Sequence, residues 1–346
     1  MGKQIIILGM HRSGTSLLTR LVTMMGAYFG SEELHTGANR ENPKGFWERR
    51  DIRELNDLLL TSAGADWDRV AGFTAEAVLA GDRAVFRERA KNIIAELDAH
   101  TPWVIKEPRL CVLFSIWREL LAAPVCVLMW RNPLEVALSL KSRNAIPLQF
   151  GLALWEYYTL ASIRASSGLP RILLSYAELM AEPDRTVETL ADFFKNSGIV
   201  GLRSPGINDI EQFVDKSLYR ERAQVKEACT YLNDEQKKLF YGLQDHTILQ
   251  AQTPLRLSES ARESLNSLTY LRGLQEKREL LQTFCNWSER LFASRQYQLG
   301  RMVGGVCRSL LSERNFVSLP ERKLREAVEA SSRCINKISE GSSSYK

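Results

Sequence analysis

One stretch has the residue types and spacing to hold a phosphate. Gly9-Met-His-Arg-Ser-Gly-Thr-Ser16 follows the apolar run Ile5-Ile6-Ile7-Leu8 and opens a segment from Ser16 to Met25. In that segment Leu17, Leu18, Leu21, Val22 and Met25 form one helical stripe. A buried strand, a glycine turn and a helix N-terminus in this order make an anion cradle. The glycines permit the tight turn, backbone N–H groups point inward, and the helix end adds partial positive charge. Ser13, Gly14, Thr15 and Ser16 are the residues of the turn, with two hydroxyls placed for phosphate oxygens and Arg12 as its cation.

The spacing nearly fits the nucleoside triphosphate loop G-x-x-x-x-G-K-[ST], with Gly9, Gly14 and Ser16 in register. The misfit is informative. Thr15 replaces the lysine that would reach the β- and γ-phosphates, and the main cation moves into the loop as Arg12. The predicted strands end near Glu107, Arg131 and Ser175, which offers no convincing acidic magnesium ligand. A P-loop kinase or nucleotidase is therefore the runner-up reading, beside a non-catalytic nucleotide-fold module of a glycan-assembly complex.

The stretch His11 to Ser16 resembles the 5′-phosphosulfate loop of sulfotransferases that use 3′-phosphoadenosine-5′-phosphosulfate (PAPS). An independent second stretch, Trp130-Arg-Asn-Pro-Leu-Glu-Val-Ala-Leu-Ser139, follows the apolar run Val125 to Met129. In that family an arginine ending this strand and a serine eight residues later hold the 3′-phosphate, which implies Arg131 and Ser139. Pro133 suits the first turn of a helix, so Ser139 lies almost two turns in while Arg131 leaves the strand end. Glu41 to Glu48, Lys106-Glu-Pro-Arg109 and Ser175 to Pro183 are similar to bacterial glycan-modifying members. The likeness is good from residue 4 to about 222 and weak beyond.

The resemblance implies PAPS as co-substrate, no required metal, and transfer of a sulfuryl group to a hydroxyl on a sugar or glycolipid. It implies that Arg12 carries the leaving phosphate and sulfonate, that Lys106 steadies the sulfonate or orients the acceptor, and that Tyr176 contacts adenine. Lys106 reads equally well as a strand-end lysine paired with Glu107. The histidine that many members place two residues after this lysine is Pro108 here, so the base must come from elsewhere. Glycan-acting and tyrosine-acting members use a glutamate shortly after the first helix, and that resemblance implies Glu48 first, since Phe46 and Trp47 beside it would raise its pKa; Glu41 is second, and His35 and His11 are further candidates. The late R-K-G-x-x-G-x-W-K segment is absent, and Phe213 to Arg222 stands in for it with Arg220 as its cation. Phe46, Trp47 and Trp67 are candidates to line a sugar cleft, and equally for the core.

These residues need a scaffold. Short apolar runs at 103–105, 125–129 and 172–174 join the first as buried strands, and helix-forming stretches separate them: 50–60, 83–97, 133–143, 152–165 and 184–195. That alternation predicts an α/β fold, P-loop-like, with three α/β/α layers on a central parallel sheet. The core is expected over residues 1–222, with a mostly helical extension at 223–346. In the extension, apolar residues recur at helical spacing from about Leu257, with breaks expected at Gly300, Gly304-Gly305 and Pro320. A peripheral membrane contact or self-association is a role open to it. A net charge of +5 on 346 residues, scattered and without aromatic interleaving, argues against nucleic acid. Six dispersed cysteines form no metal or disulfide pattern, and Gln4 to Leu8 is too short for a secretion signal; the cytoplasm is the expected compartment.

Overall fold

A computed structural model describes residues 4–38, 44–219, 221–250 and 255–293 of the chain. Four strands, β1 (Gln4–Leu8), β2 (Trp103–Lys106), β3 (Pro124–Trp130) and β4 (Arg171–Ser175), form one all-parallel sheet in the order β2-β1-β3-β4. Period-two alternation splits each strand between two apolar cores. Ile5 and Ile7 face one layer while Ile6 and Leu8 face the other; β3 repeats this with Val125, Val127 and Met129 against Cys126, Leu128 and Trp130. A strand buried on both faces needs apolar residues throughout, which is why β3 and, from Ile5 onward, β1 are unbroken apolar runs. Each buried isoleucine contributes about 2 kcal/mol of hydrophobic stabilisation.

The Ile5 face is covered by α1 (Thr15–Met24), α7 (Tyr176–Ala181), α8 (Pro183–Asn196) and α9 (Ile207–Phe213). The Ile6 face is covered by α2 (Arg50–Ser62), α3 (Ala80–Asp98), α4 (Leu110–Arg118), α5 (Pro133–Asn144) and α6 (Leu148–Ala165). Side chains of α10 (Val225–Tyr231) and α11 (Asp234–Gln244) join that same core. The predicted three-layer α/β/α architecture is what the chain adopts.

The chain divides into two compact units, Met1–Thr269 and Tyr270–Lys346. Helix α12 (Glu259–Ala293) begins in the first and supplies all the described residues of the second. The breaks expected at Gly300, Gly304-Gly305 and Pro320 lie outside the described residues. Among the described residues no helix is long and apolar enough to cross a membrane.

Chain order places the functional edge. From β1 the chain runs out to β2 on one side, then crosses to β3 on the other. Strand order thus reverses at β1/β3, and in open parallel sheets the crevice at such a reversal, beyond the strand C-termini, is where ligands bind.

Candidate functional site

The turn after β1 is shaped by two glycines. At Gly9 a Cβ would lie 2.7 Å from the Met129 carbonyl oxygen, so the close approach of β3 demands glycine. The Gly9 N–H donates to Cys111 Sγ at 3.1 Å, and burial pushes that thiol up to about 12. The Ser13 N–H donates to the Met10 carbonyl at 3.1 Å and closes the turn. Gly14, at φ 88°, begins α1 without any side-chain cap, which leaves the helix end suited to an anion. A Cβ there would meet the Tyr176 ring at 2.1 Å. Arg12 and Trp47 hold left-handed backbone at φ 71° and 52°, a strain of order 1 kcal/mol each that surrounding contacts must offset.

The turn after β3 meets the first turn directly. Asn132 caps α5 by accepting from the Leu134 N–H at 3.0 Å, and Pro133 presets the first helical residue. Arg131 therefore leaves the strand facing the glycine turn, where its Nη1 donates to the Arg12 carbonyl at 3.0 Å. Its Nε donates to Glu135 Oε2 at 2.7 Å and its Nη2 to the Glu221 carbonyl at 2.7 Å. Three of the five guanidinium N–H donors are thus engaged, and two remain for a ligand. Arg12 Nε in turn donates to Ser139 Oγ at 2.8 Å. The guanidinium of Arg131 lies 4.7 Å above the Tyr176 ring and 5.1 Å from that of Tyr219. Burial raises the Tyr176 phenol above its usual range, against the opposing Arg131 charge.

A third cluster forms where β2 ends. Lys106, 2 % exposed, donates to Glu48 Oε1 at 2.6 Å, to the Phe46 carbonyl at 2.6 Å and to Ser16 Oγ at 3.2 Å. Ser16 Oγ also donates to the Phe46 carbonyl at 2.8 Å. The expected alternative partner of Lys106, Glu107, turns the other way and accepts from Arg109 Nη1 and Asn56 Nδ2, both at 2.6 Å. Burial pushes Glu107 up to about 7 against the opposing Arg109 charge. The two turns and the Glu48 carboxylate open on one cleft of about 630 Å³, which Phe46, Trp47 and Trp67 also line.

His11 lines the cleft as well, its ring 4.8 Å from that of Trp67 and its Nε2 buried without a partner. Burial, then the charges of Arg109, Lys106, Arg143 and Arg12, hold its pKa well below the usual histidine value. His35 bonds to the Gly30 carbonyl through Nε2 at 3.2 Å and does not line the cleft. Ser13 is 1 % exposed and shapes the turn through its backbone. Glu41 and Arg220 lie outside the described residues.

A family profile described as "Sulfotransferase family" matches residues 4–197, more than half of the chain and all of the sheet. The chain belongs to the sulfotransferase family. Among solved structures, this sulfotransferase is similar to the sulfotransferase domain of the Synechococcus PCC 7002 olefin synthase. That pair shares 16% identity over 78% of this chain and 94% of the other, with a TM-score of 0.38. It is also similar to the sulfotransferase domain from the curacin biosynthetic pathway, at 14% identity over 78% and 98% of the two chains and a TM-score of 0.39. No functionally curated protein matches it.

Two parts of the candidate site carried no notice in the sequence. Glu135 is a hub: besides Arg131 it accepts from Tyr219 Oη at 2.9 Å and from the Ala223 N–H at 3.0 Å, holding Tyr219 and Ala223 beside Arg131. The available signal was its position four residues after Arg131 on the first turn of a helix. Arg109 was noted only within a motif; buried between Glu107 and Asp57, it turns out to line the cleft beyond His11.

Proposed function

We propose that this sulfotransferase moves the sulfuryl group of PAPS to a hydroxyl of a carbohydrate or glycolipid acceptor in the cytoplasm. The observation that carries this reading is the joining of two anion sites by one network, Arg131 to the Arg12 carbonyl and Arg12 to Ser139. A nucleotide with phosphate on both faces of its ribose suits such a pair, and the uncapped α1 terminus and the two remaining Arg131 donors fit it. Arg131 and Ser139 would hold the 3′-phosphate, Tyr176 the adenine side, and Arg12, Thr15 and Ser16 the 5′ end. PAPS, when bound, supplies the sulfuryl group and a phosphate leaving group. Glu48 takes the proton of the acceptor hydroxyl, and Lys106 fixes that carboxylate beside Ser16 while bringing positive charge to the reacting end. The rings of Phe46 and Trp67 offer flat faces for a sugar.

Calorimetric titration with 3′,5′-adenosine bisphosphate, compared with ATP plus magnesium, tests the reading. The bisphosphate is expected to bind without metal, and Arg131→Ala to weaken it by roughly 1.5–3 kcal/mol, the worth of a charged hydrogen bond. A preference for ATP with magnesium, or indifference to Arg131, would sink it.

A further inference from the structure

Glu48 sits at one end of a short closed turn, and a lysine at the other end grips a different part of the molecule. Trp47 Nε1 donates to the Lys44 carbonyl at 2.9 Å, which closes residues 44–47 around Gly45 at φ 88° and Trp47 at φ 52°. The Phe46 carbonyl accepts from Lys106 and Ser16, and Glu48 follows at once with its own bond to Lys106. The Glu48 carbonyl accepts from the Thr36 N–H at 2.7 Å. Turn and carboxylate therefore share one anchored stretch of backbone.

Lys44 lines the cleft, and its Nζ donates to the Phe213 carbonyl at 2.5 Å and to the Gln212 carbonyl at 3.4 Å. These are the last two carbonyls of α9, which have no partner inside the helix, and a lysine is well suited to satisfy them. Two cations share the Phe213 ring: Lys44 Nζ lies 5.0 Å and the Arg20 guanidinium 5.7 Å from its centroid. The same guanidinium lies 4.7 Å over the Trp47 ring. Helix α1, the 44–47 turn and the end of α9 are thereby joined at one point.

From that point the chain leads to the donor side of the cleft. Val214 is buried, and Asp215 accepts both the N–H and the hydroxyl of Ser217. Tyr219 then donates to Glu135, which holds Arg131. Between Phe213 and Tyr219 only the three-residue 3₁₀ turn Lys216–Leu218 is regular. A segment with so few backbone bonds of its own opens at low cost until a ligand fixes it.

We infer that Lys44 is a positioning residue, tying the Glu48-bearing turn to the segment 213–219 beside the donor site, so that filling the donor site sets the base in place. The inference rests on the sulfotransferase reading above and adds an order to it: the acceptor meets a fixed carboxylate only after the donor has bound. A lysine of purely structural value would hold the turn equally with and without nucleotide.

Hydrogen–deuterium exchange of the full chain, free and saturated with 3′,5′-adenosine bisphosphate, separates the two roles. In the unmodified protein the bisphosphate should slow amide exchange at 44–49 by about fivefold or more. Lys44→Met should abolish that slowing, while the turn at 9–16 stays protected and bisphosphate affinity holds within about twofold, because the link is cut and the pocket is not. Phe213→Leu, which removes the shared ring and keeps the carbonyl, should abolish most of the slowing and replaces Lys44→Met if thermal melting shows that variant to be unfolded. Slowing that survives the substitution overturns the inference, as does an unprotected 44–49 in the unmodified complex. So does a loss of bisphosphate affinity in Lys44→Met as large as in Arg131→Ala, which would make Lys44 a donor contact. Failure of the bisphosphate to bind the unmodified protein strikes the donor assignment instead, so the two failures are separable.

Discussion

Lys106 carries its charge into a position with almost no water, and three acceptors compensate it. Burying an ion pair yields little net stability, but breaking one leaves an uncompensated charge behind. Lys106→Met should therefore strand the Glu48 carboxylate, which is 13 % exposed, and lower unfolding stability by about 3 kcal/mol in urea denaturation. Glu48→Gln keeps the shape and a hydrogen-bond acceptor, and should cost less stability. Its effect belongs in turnover: loss of the proton acceptor should reduce kcat roughly 10²–10⁴-fold with little change in bisphosphate affinity. A Glu48→Gln enzyme of near-normal kcat would remove Glu48 from the role of base. At this scale the positions of Arg12, Ser16 and Arg131 beside a turn were legible in the sequence, because glycine and proline punctuate the chain at each of them. The only ion-pair partner it offered for Lys106 was Glu107, which binds Arg109 instead; the Lys106–Glu48 pair depends on where the loop at 44–49 lies, which no local pattern encodes.

The capped start of α5 links local sequence to a distant segment. Asn132 accepts from the Leu134 N–H and, through Nδ2, donates to the Ala223 carbonyl at 3.0 Å; Glu135 holds Tyr219 and the Ala223 N–H. Asn132→Ala should cost about 1 kcal/mol as a lost cap. Glu135→Gln should leave the buried Arg131 charge uncompensated and slacken Arg131, Tyr219 and Ala223 together, lowering the melting temperature and weakening bisphosphate binding several-fold. If affinity were unchanged, the hub would be structural ornament around Arg131 rather than its support. Six predicted helices and all four strands fall where periodicity placed them, within a few residues. Helix α4 escaped notice because Leu110-Cys-Val-Leu-Phe-Ser-Ile-Trp is a short, largely buried apolar run, which length and composition do not distinguish from a buried strand. The placement of Tyr219, Glu221 and Ala223 depends on partners 84 to 91 residues away, which no local pattern encodes.

At the scale of the molecule, the reversal of strand order at β1/β3 sets two glycine-and-arginine turns side by side, and the two faces of the sheet divide the core between them. This much was legible because strands buried on both faces are the plainest signal a chain offers. The whole fold also responds to pH through His11. Its folded pKa is depressed, so between that value and about 6.5 the unfolded chain binds the extra proton, and stability rises with pH. The contribution is complete above the unfolded value and fades as the pH falls below it. Wild type should lose up to roughly 1.4 kcal/mol per pH unit more than His11→Gln in urea titrations below pH 6.5; parallel curves would show the imidazole to be already charged. Finally, the sulfur that receives the Gly9 N–H is sealed in the core, whereas the thiol of Cys229 lies half exposed. An alkylating reagent should thus reach Cys229 at once but Cys111 only when the sheet edge under the turn breathes open, so the rate at which Cys111 is labelled is a clock for how firmly a bound nucleotide clamps that edge shut.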